Sequence, residues 1–260
     1  MKFFVIALLF YCSTGIAKIS SESYVIVSGN GNVIAQKNAD TIRPIASITK
    51  LITVQNSLML DGAELIKISK DDTILGRMKS SPLIVNREYS RLALSKLALV
   101  SSDNVAAIAL GRTNILRAVP SAMQIVEASG LNPANTSSAN TLANFARSLY
   151  DTDLALMSVQ KTATIGLEIR RSTNPLLASF GWHFYLSKTG FINESGGCLV
   201  VILEVRGEPM TFVILGSSDT HRRWLDLFEL RKSIDNSNFA KPTWAVTPSA
   251  RHVSRHRKHR

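Results

Sequence analysis

Cysteine is nearly absent from this 260-residue chain, which has only Cys12 and Cys198. Cys12 falls in an N-terminal leader, so the mature chain keeps a single thiol, has no intramolecular disulfide and must be held together by its core. Cys198 opens the apolar run Cys198-Leu199-Val200-Val201-Ile202-Leu203, the setting of a small buried hydrophobe rather than of a nucleophile. Histidine is almost as scarce. His252, His256 and His259 lie in the last ten residues, where nothing nearby supplies a rigid frame for a metal. His183 and His221 stand in neither an H-E-x-x-H nor a G-x-S-x-G setting, so zinc-peptidase and α/β-hydrolase chemistry lack their parts. No metal, phosphate loop or other cofactor is expected. The leader also lacks the length to span a membrane: its apolar run from Phe3 to Cys12 is about half of the roughly 20 residues a spanning helix needs. With Lys2 before it and Gly15-Ile16-Ala17 after it, the run reads as a signal peptide cleaved after Ala17, which implies export. Bulky Phe10 and Tyr11 do not suit lipoprotein processing at Cys12.

Acidic residues are outnumbered, 19 against 30 Lys and Arg, and the formal net charge of +11 becomes +10 once Lys2 is removed with the leader. Five of those charges (Arg251, Arg255, Arg257, Lys258 and Arg260) crowd into the last ten residues, which leaves the body only mildly basic. For an exported chain the nearest anions are cell-wall polymers, lipopolysaccharide and lipid headgroups, and no nucleic-acid partner is expected. The tail either contacts those envelope anions or stays a solvated disordered segment; it lacks the apolar face of an amphipathic membrane anchor. The expected organisation is a leader over 1–17, one domain over 18–235 and a basic disordered tail over 236–260.

What is present forms a pattern of strands, then helices, then strands. Tyr24 to Val27 and Val33 to Gln36 are β-prone and are separated by Gly29-Asn30-Gly31-Asn32, a hairpin signal. A buried helix is expected from Ala46 or Ser47 to Leu58, with further helices over 90–100, 104–112 and 141–150. Strands return at Trp182 to Ser187, Cys198 to Val205 and Met210 to Leu215, with turns at Gly190 to Gly197 and at Gly207-Glu208-Pro209. A last helix, Arg222 to Ile234, is expected to cover the sheet with Trp224, Leu225 and Phe228. The order implies an antiparallel sheet flanked by helices, an α/β (α+β) fold with an inserted helical lobe and a cleft between the two.

Three short segments can carry chemistry. Ser47-Ile48-Thr49-Lys50 sets a hydroxyl and an amine one helical turn apart on the same face. Serine needs a base, and a lysine desolvated in a cleft is neutral enough to serve. Ser101-Ser102-Asp103-Asn104 lies between two helices, and Lys188-Thr189-Gly190 ends a strand. S-x-x-K, S-D-N and K-T-G in this order form the signature shared by penicillin-binding proteins and class A β-lactamases. Lys161-Thr162-Ala163 is a decoy for the third, since it lacks both the glycine and a preceding strand.

Over residues 22–232 the chain resembles the low-molecular-mass penicillin-binding proteins, the serine D-alanyl-D-alanine carboxypeptidases and endopeptidases. The resemblance is carried by Asn38 to Leu51, by Leu99 to Ala107, by Ser129-Gly130-Leu131-Asn132-Pro133 with Asn135-Thr136-Ser137, and by Ser187 to Val200. It implies a β-lactamase/transpeptidase-like fold in the periplasm or cell envelope of a bacterium, peptidoglycan stem peptides as substrate and β-lactam antibiotics as covalent inhibitors. It further implies a nucleophile, Ser47, a base, Lys50, whose pKa Lys188 helps depress, and a proton relay through Ser102 to the leaving amine. Asn104 would bind the substrate's backbone amide, Lys188 and Thr189 its carboxylate, and Gly190 would leave room along the strand edge. The N–H groups of Ser47 and Phe191 would form the oxyanion hole. Between Arg112 and Gly130 the chain is shorter than the family pattern, which bears on substrate preference. A β-lactamase would share all three motifs, but its deacylating glutamate belongs to E-x-x-L-N, and here Glu127 precedes Leu131-Asn132 by one residue too many. A penicillin-binding scaffold without turnover is the reading from outside enzymology, and nothing in the motifs suggests decay.

Overall fold

The computed structural model describes residues 19–76, 81–114 and 118–241. The expected leader and residues 242–260 of the basic tail lie outside them. In chain order the elements are β1 (Ser23–Val27), β2 (Val33–Lys37), β3 (Arg43–Pro44), a 3-10 turn (Ala46–Ile48), α1 (Thr49–Ser57), β4 (Leu65–Lys67) and α2 (Lys70–Leu75). Then come β5 (Glu88–Ser90), α3 (Arg91–Val100), α4 (Asn104–Asn114), β6 (Thr136–Ser137), α5 (Ala139–Ser148) and α6 (Asp153–Ser158). The chain closes with β7 (Thr162–Ile165), β8 (Glu168–Arg171), β9 (Phe184–Ile192), β10 (Gly196–Val205), β11 (Glu208–Ser217) and α7 (Arg222–Ile234).

One antiparallel sheet, in the order β2-β1-β11-β10-β9, organises the molecule. Strand side chains alternate between faces, and both faces are covered, so the central strands are apolar throughout. Cys198, Val200 and Ile202 of β10, with Val213 and Leu215 of β11, face the helical lobe of α1, α3, α4, α5 and α6. Leu199, Val201 and Leu203, with Phe212 and Ile214, face α7 through Trp224, Leu227 and Leu230. Cys198 is buried and free, as its apolar neighbours imply. The lobe is inserted between β2 and β9, and β9 is left as an edge strand facing it.

Local side chains stop and start the helices. Ser69, Ser90, Ser138 and Thr152 cap α2, α3, α5 and α6 by accepting a backbone N–H, and Asp103 does the same for α4 by accepting from Ala106 at 2.8 Å. The Ser138 cap sets α5 two residues earlier than the expected start at Thr141. A further expectation changes. Lys188-Thr189-Gly190 does not end its strand: β9 continues through Phe191 and Ile192, which pair with Gly197 and Gly196, and the turn is confined to residues 193–195. Glycine is a turn signal in sequence, but here it serves a close backbone approach inside a strand. Beyond α7 the described chain continues to Lys241 and packs on the sheet's far side. Trp182 Nε1 donates to the Ala240 carbonyl at 2.8 Å, and Phe239 packs edge-on against Trp182 and Phe228.

Candidate active site

The turn carrying Ser47 is fixed by contacts on two sides. A Cβ added to Gly190 of β9 would lie 2.9 Å from the Ile45 carbonyl oxygen and 3.1 Å from the Ser47 nitrogen. On the other side, a Cβ on Gly130 would meet the Ala46 carbonyl oxygen at 2.0 Å, and Gly130 has φ 81°. Only glycine fits either position. Ala46, directly before Ser47, and Ser102 hold φ of 48° and 60°, left-handed values that non-glycine residues seldom adopt and that gather at functional sites. Ser47 is partly exposed at the cleft.

Lys50, the second residue of α1 and one turn after Ser47, is fully buried. Its Nζ is 2.8 Å from Ser47 Oγ, 2.8 Å from Asn104 Oδ1 and 2.6 Å from the Ser129 carbonyl oxygen. The last two partners are acceptors only. A neutral amine therefore directs both of its hydrogens to them and turns its lone pair to the third partner, the Ser47 hydroxyl. Burial pushes the Lys50 ammonium down to about 7, against the opposing pull of Glu127 and then Asp103. A buried amine with that pKa, in contact with a hydroxyl, has the chemistry to accept that hydroxyl's proton.

Lys188 is the second buried amine. Its Nζ donates to Ser102 Oγ at 2.8 Å and to the Thr189 carbonyl at 3.0 Å. Burial, then the positive charges of Lys50 and Arg223, hold it well below the usual lysine range. For Lys50, by contrast, burial is the depressing cause, and the carboxylates of Glu127 and Asp103 on its own side oppose it. The expected repulsion between the lysines is thus expressed at Lys188. Because Lys188 donates to Ser102, the Ser102 hydroxyl proton is free to point into the cleft, and Asn104, accepting from Lys50, keeps its amide N–H groups free to donate outward.

Sequence reasoning missed three parts of this arrangement. Glu127 holds the loop that supplies the Ser129 carbonyl: its carboxylate accepts from the Ser129 and Gly130 amides at 2.6 and 2.5 Å, from Asn132 N at 3.2 Å, from Ser129 Oγ at 2.7 Å and from Asn135 Nδ2 at 3.1 Å. Both oxygens are committed to this loop, which is a structural use of the carboxylate, not that of a base poised over water. Arg223 of α7, buried behind the sheet, donates to the Gly190 carbonyl at 2.8 Å. Thr173 meets Thr189 hydroxyl to hydroxyl at 2.8 Å. None has a sequence signature: Ser129 acts through its backbone, and Arg223 and Thr173 reach the site only once α7 and the chain after β8 are folded against β9. Among the described residues no group of three or more His, Cys, Asp or Glu side chains could hold a metal ion.

Residues 12–114 match the sequence profile of the D-alanyl-D-alanine carboxypeptidase family, peptidase S11. A D-alanyl-D-alanine endopeptidase of Pseudomonas aeruginosa is 30% identical over 249 residues, covering 84% of this chain and 78% of that one. A protein of the same description from Escherichia coli K12 is 31% identical over 245 residues, with the same coverage of both chains. Among solved structures, penicillin-binding protein D2 from Listeria monocytogenes, in its ampicillin-bound form, superposes with a TM-score of 0.71 at 24% identity, over 83% of this chain and 97% of that one.

Proposed function

The chain belongs to the D-alanyl-D-alanine carboxypeptidase and endopeptidase family of serine peptidases, and on that premise we propose that Ser47, Lys50 and Ser102 are its catalytic residues. It is a hydrolase of D-alanyl-D-alanine peptide bonds in peptidoglycan. Ser47 Oγ attacks the carbonyl between the two D-alanines and its proton passes to neutral Lys50. The C–N bond breaks as the leaving amine takes the Ser102 proton, Lys50 passes the proton it took from Ser47 on to Ser102, and an ester to Ser47 remains beside a neutral Lys50. Water then attacks that ester as neutral Lys50 takes its proton, and the bond to Ser47 Oγ breaks as Lys50 hands that proton to the departing oxygen, which restores the Ser47 hydroxyl and leaves Lys50 neutral. Asn104 donates to the substrate's backbone amide, and the carboxylate lies against Lys188 and Thr189, where it favours the charged form of Lys188. The N–H groups of Ser47 and Phe191 stabilise the oxyanion. The observation that carries this reading is the buried Lys50 amine 2.8 Å from Ser47 Oγ with its other two contacts fixed on acceptors.

The endopeptidase reaction, cutting between cross-linked stem peptides, is the activity we assign within the family, supported by the descriptions of the two relatives above. β-Lactams acylate Ser47 because they mimic the D-alanyl-D-alanine carbonyl; the ampicillin-bound form of the Listeria protein supports this. Export through the 1–17 leader places the enzyme in the bacterial envelope, and the five cations after Ala250 bind anionic envelope polymers. The test is covalent. A chromophoric penicillin should label the protein once, at Ser47, and Ser47→Ala should abolish labelling; an adduct that persists in that variant, or maps elsewhere by intact and peptide mass, refutes the assignment.

A further inference from the structure

Carboxypeptidase and endopeptidase reactions share one acylation and differ in what leaves: a free amino acid, or a second stem peptide joined through a side-chain amine. The feature that distinguishes them must therefore lie beyond the carboxylate subsite at Lys188 and Thr189, on the leaving-group side. The chain that leads away from that subsite is the β7–β8 hairpin. Its root is anchored at the site, since Thr173 bonds Thr189 Oγ1 through its hydroxyl and the Val100 carbonyl, at the end of α3, through its N–H at 3.0 Å.

Register separates the two faces of the hairpin. Thr162 pairs with Arg171, Ala163 with Arg170, Thr164 with Ile169 and Ile165 with Glu168, and directly opposed residues share a face. Ala163 and Ile165 are buried in the core beside α3, and Arg170 pairs with Glu168 at 3.6 Å on their side. The other face, Thr162, Thr164, Ile169 and Arg171, is open from end to end. Ile169 is 66% exposed, and Leu167 at the tip is fully exposed. Among the described residues Arg171 has no ion-pair partner, and it stands two residues, about 7 Å of extended chain, from Thr173. A cation and two large apolar side chains thus form an uncovered strip on a hairpin whose chain runs on to Thr173, the partner of Thr189.

We propose that this open hairpin face is the docking surface for the leaving stem peptide of a cross-linked substrate, with Arg171 meeting its free carboxylates and Ile169 and Leu167 packing on its aliphatic parts. The assignment rests on the endopeptidase reading above. Charge decides the occupant: a leaving stem peptide carries free carboxylates and methyl-bearing residues, the two chemistries this strip offers, whereas a departing free D-alanine extends no further than Lys188 and Thr189.

The test uses the full-length protein and Arg171→Glu, Arg171→Lys and a Leu167→Ser/Ile169→Ser double variant. These side chains are exposed, so folding should be kept. Hydrolysis of a purified cross-linked muropeptide dimer is compared with that of a soluble monomeric peptide ending in D-alanyl-D-alanine and with the rate of penicillin acylation. Arg171→Glu should lower kcat/KM on the dimer by on the order of tenfold, chiefly through KM, as expected when an attractive charge contact is reversed. The double variant should act in the same direction, Arg171→Lys should retain most activity, and monomer hydrolysis and acylation should stay within about twofold of the parent. Equal losses on dimer and monomer, no loss on the dimer, or a parent enzyme that cuts the monomer but not the dimer would each overturn the inference. Absence of penicillin labelling in the parent would instead strike at the proposed catalytic residues.

Discussion

At Lys50 two demands meet, since the amine must be buried to lose its proton and must still touch a hydroxyl at the cleft. The fold satisfies both by enclosing Lys50 and leaving Ser47 partly exposed. The pH dependence follows from the sign of the shift. A pKa lowered to about 7 leaves the base protonated and inactive below that pH and neutral above it. Second-order acylation by penicillin should therefore rise about tenfold per pH unit up to about 7 and level off beyond it; a profile flat between pH 5 and 8 would remove Lys50 from proton transfer. Lys50→Arg keeps the charge but cannot give up a proton, so its acylation should fall by roughly 10²–10⁴ at neutral pH. Legibility also differed by residue. Ser47, Lys50, Ser102, Asn104 and Lys188 could be proposed from motifs and the family resemblance because side chains carry the proposed chemistry, whereas the Ser129 carbonyl and the Arg223 contact could not, since any sequence supplies carbonyls and arginines at such separations.

Elements decide how those side chains are aimed. The 3-10 turn before α1 is wedged between β9 and the 127–132 loop, and the two contacting residues, Gly190 and Gly130, have no room for a Cβ. Gly130→Ala should cost about 1–3 kcal/mol from overpacking, with the strain of a positive φ in addition. Because the clash falls on the Ala46 carbonyl, it should also displace Ser47. The expected result is a lower Tm together with slowed penicillin acylation, read by thermal melts and stopped-flow absorbance. A lower Tm with acylation intact would mean that the loop supports the fold without aiming the nucleophile. The long strands and the helices α1, α3, α4 and α7 were readable from periodicity. The two- to four-residue pairings β3–β6, β4–β5 and β7–β8 were not, because so few residues carry no period and their partners are distant or idiosyncratic turns.

For the whole molecule, charge placement separates chemistry from localisation. Five of the chain's 30 lysines and arginines follow Ala250, remote in sequence from every group placed at the site. A protein ending at Ala250 should keep its rate on a small soluble D-alanyl-D-alanine peptide but cosediment less with insoluble sacculi at low salt. The difference should shrink toward 1 M salt, where the Debye length is about 3 Å. Equal binding at low salt would leave the tail without a localising role, and loss of soluble-peptide activity would tie it to the site. The sequence by itself determined the strand–helix–strand order, because alternating and 3.6-residue apolar patterns are local, and it determined the identity of the three motifs, because each is a short run of side chains in one element. The tertiary structure alone decided that Lys50 loses its proton mainly through burial, that Glu127 holds the loop beside it, and that a glycine which reads as a turn lies inside an edge strand. Burial, carboxylate geometry and backbone clearance are relations between segments as far apart as residues 46, 130 and 190, and no local pattern encodes a distance.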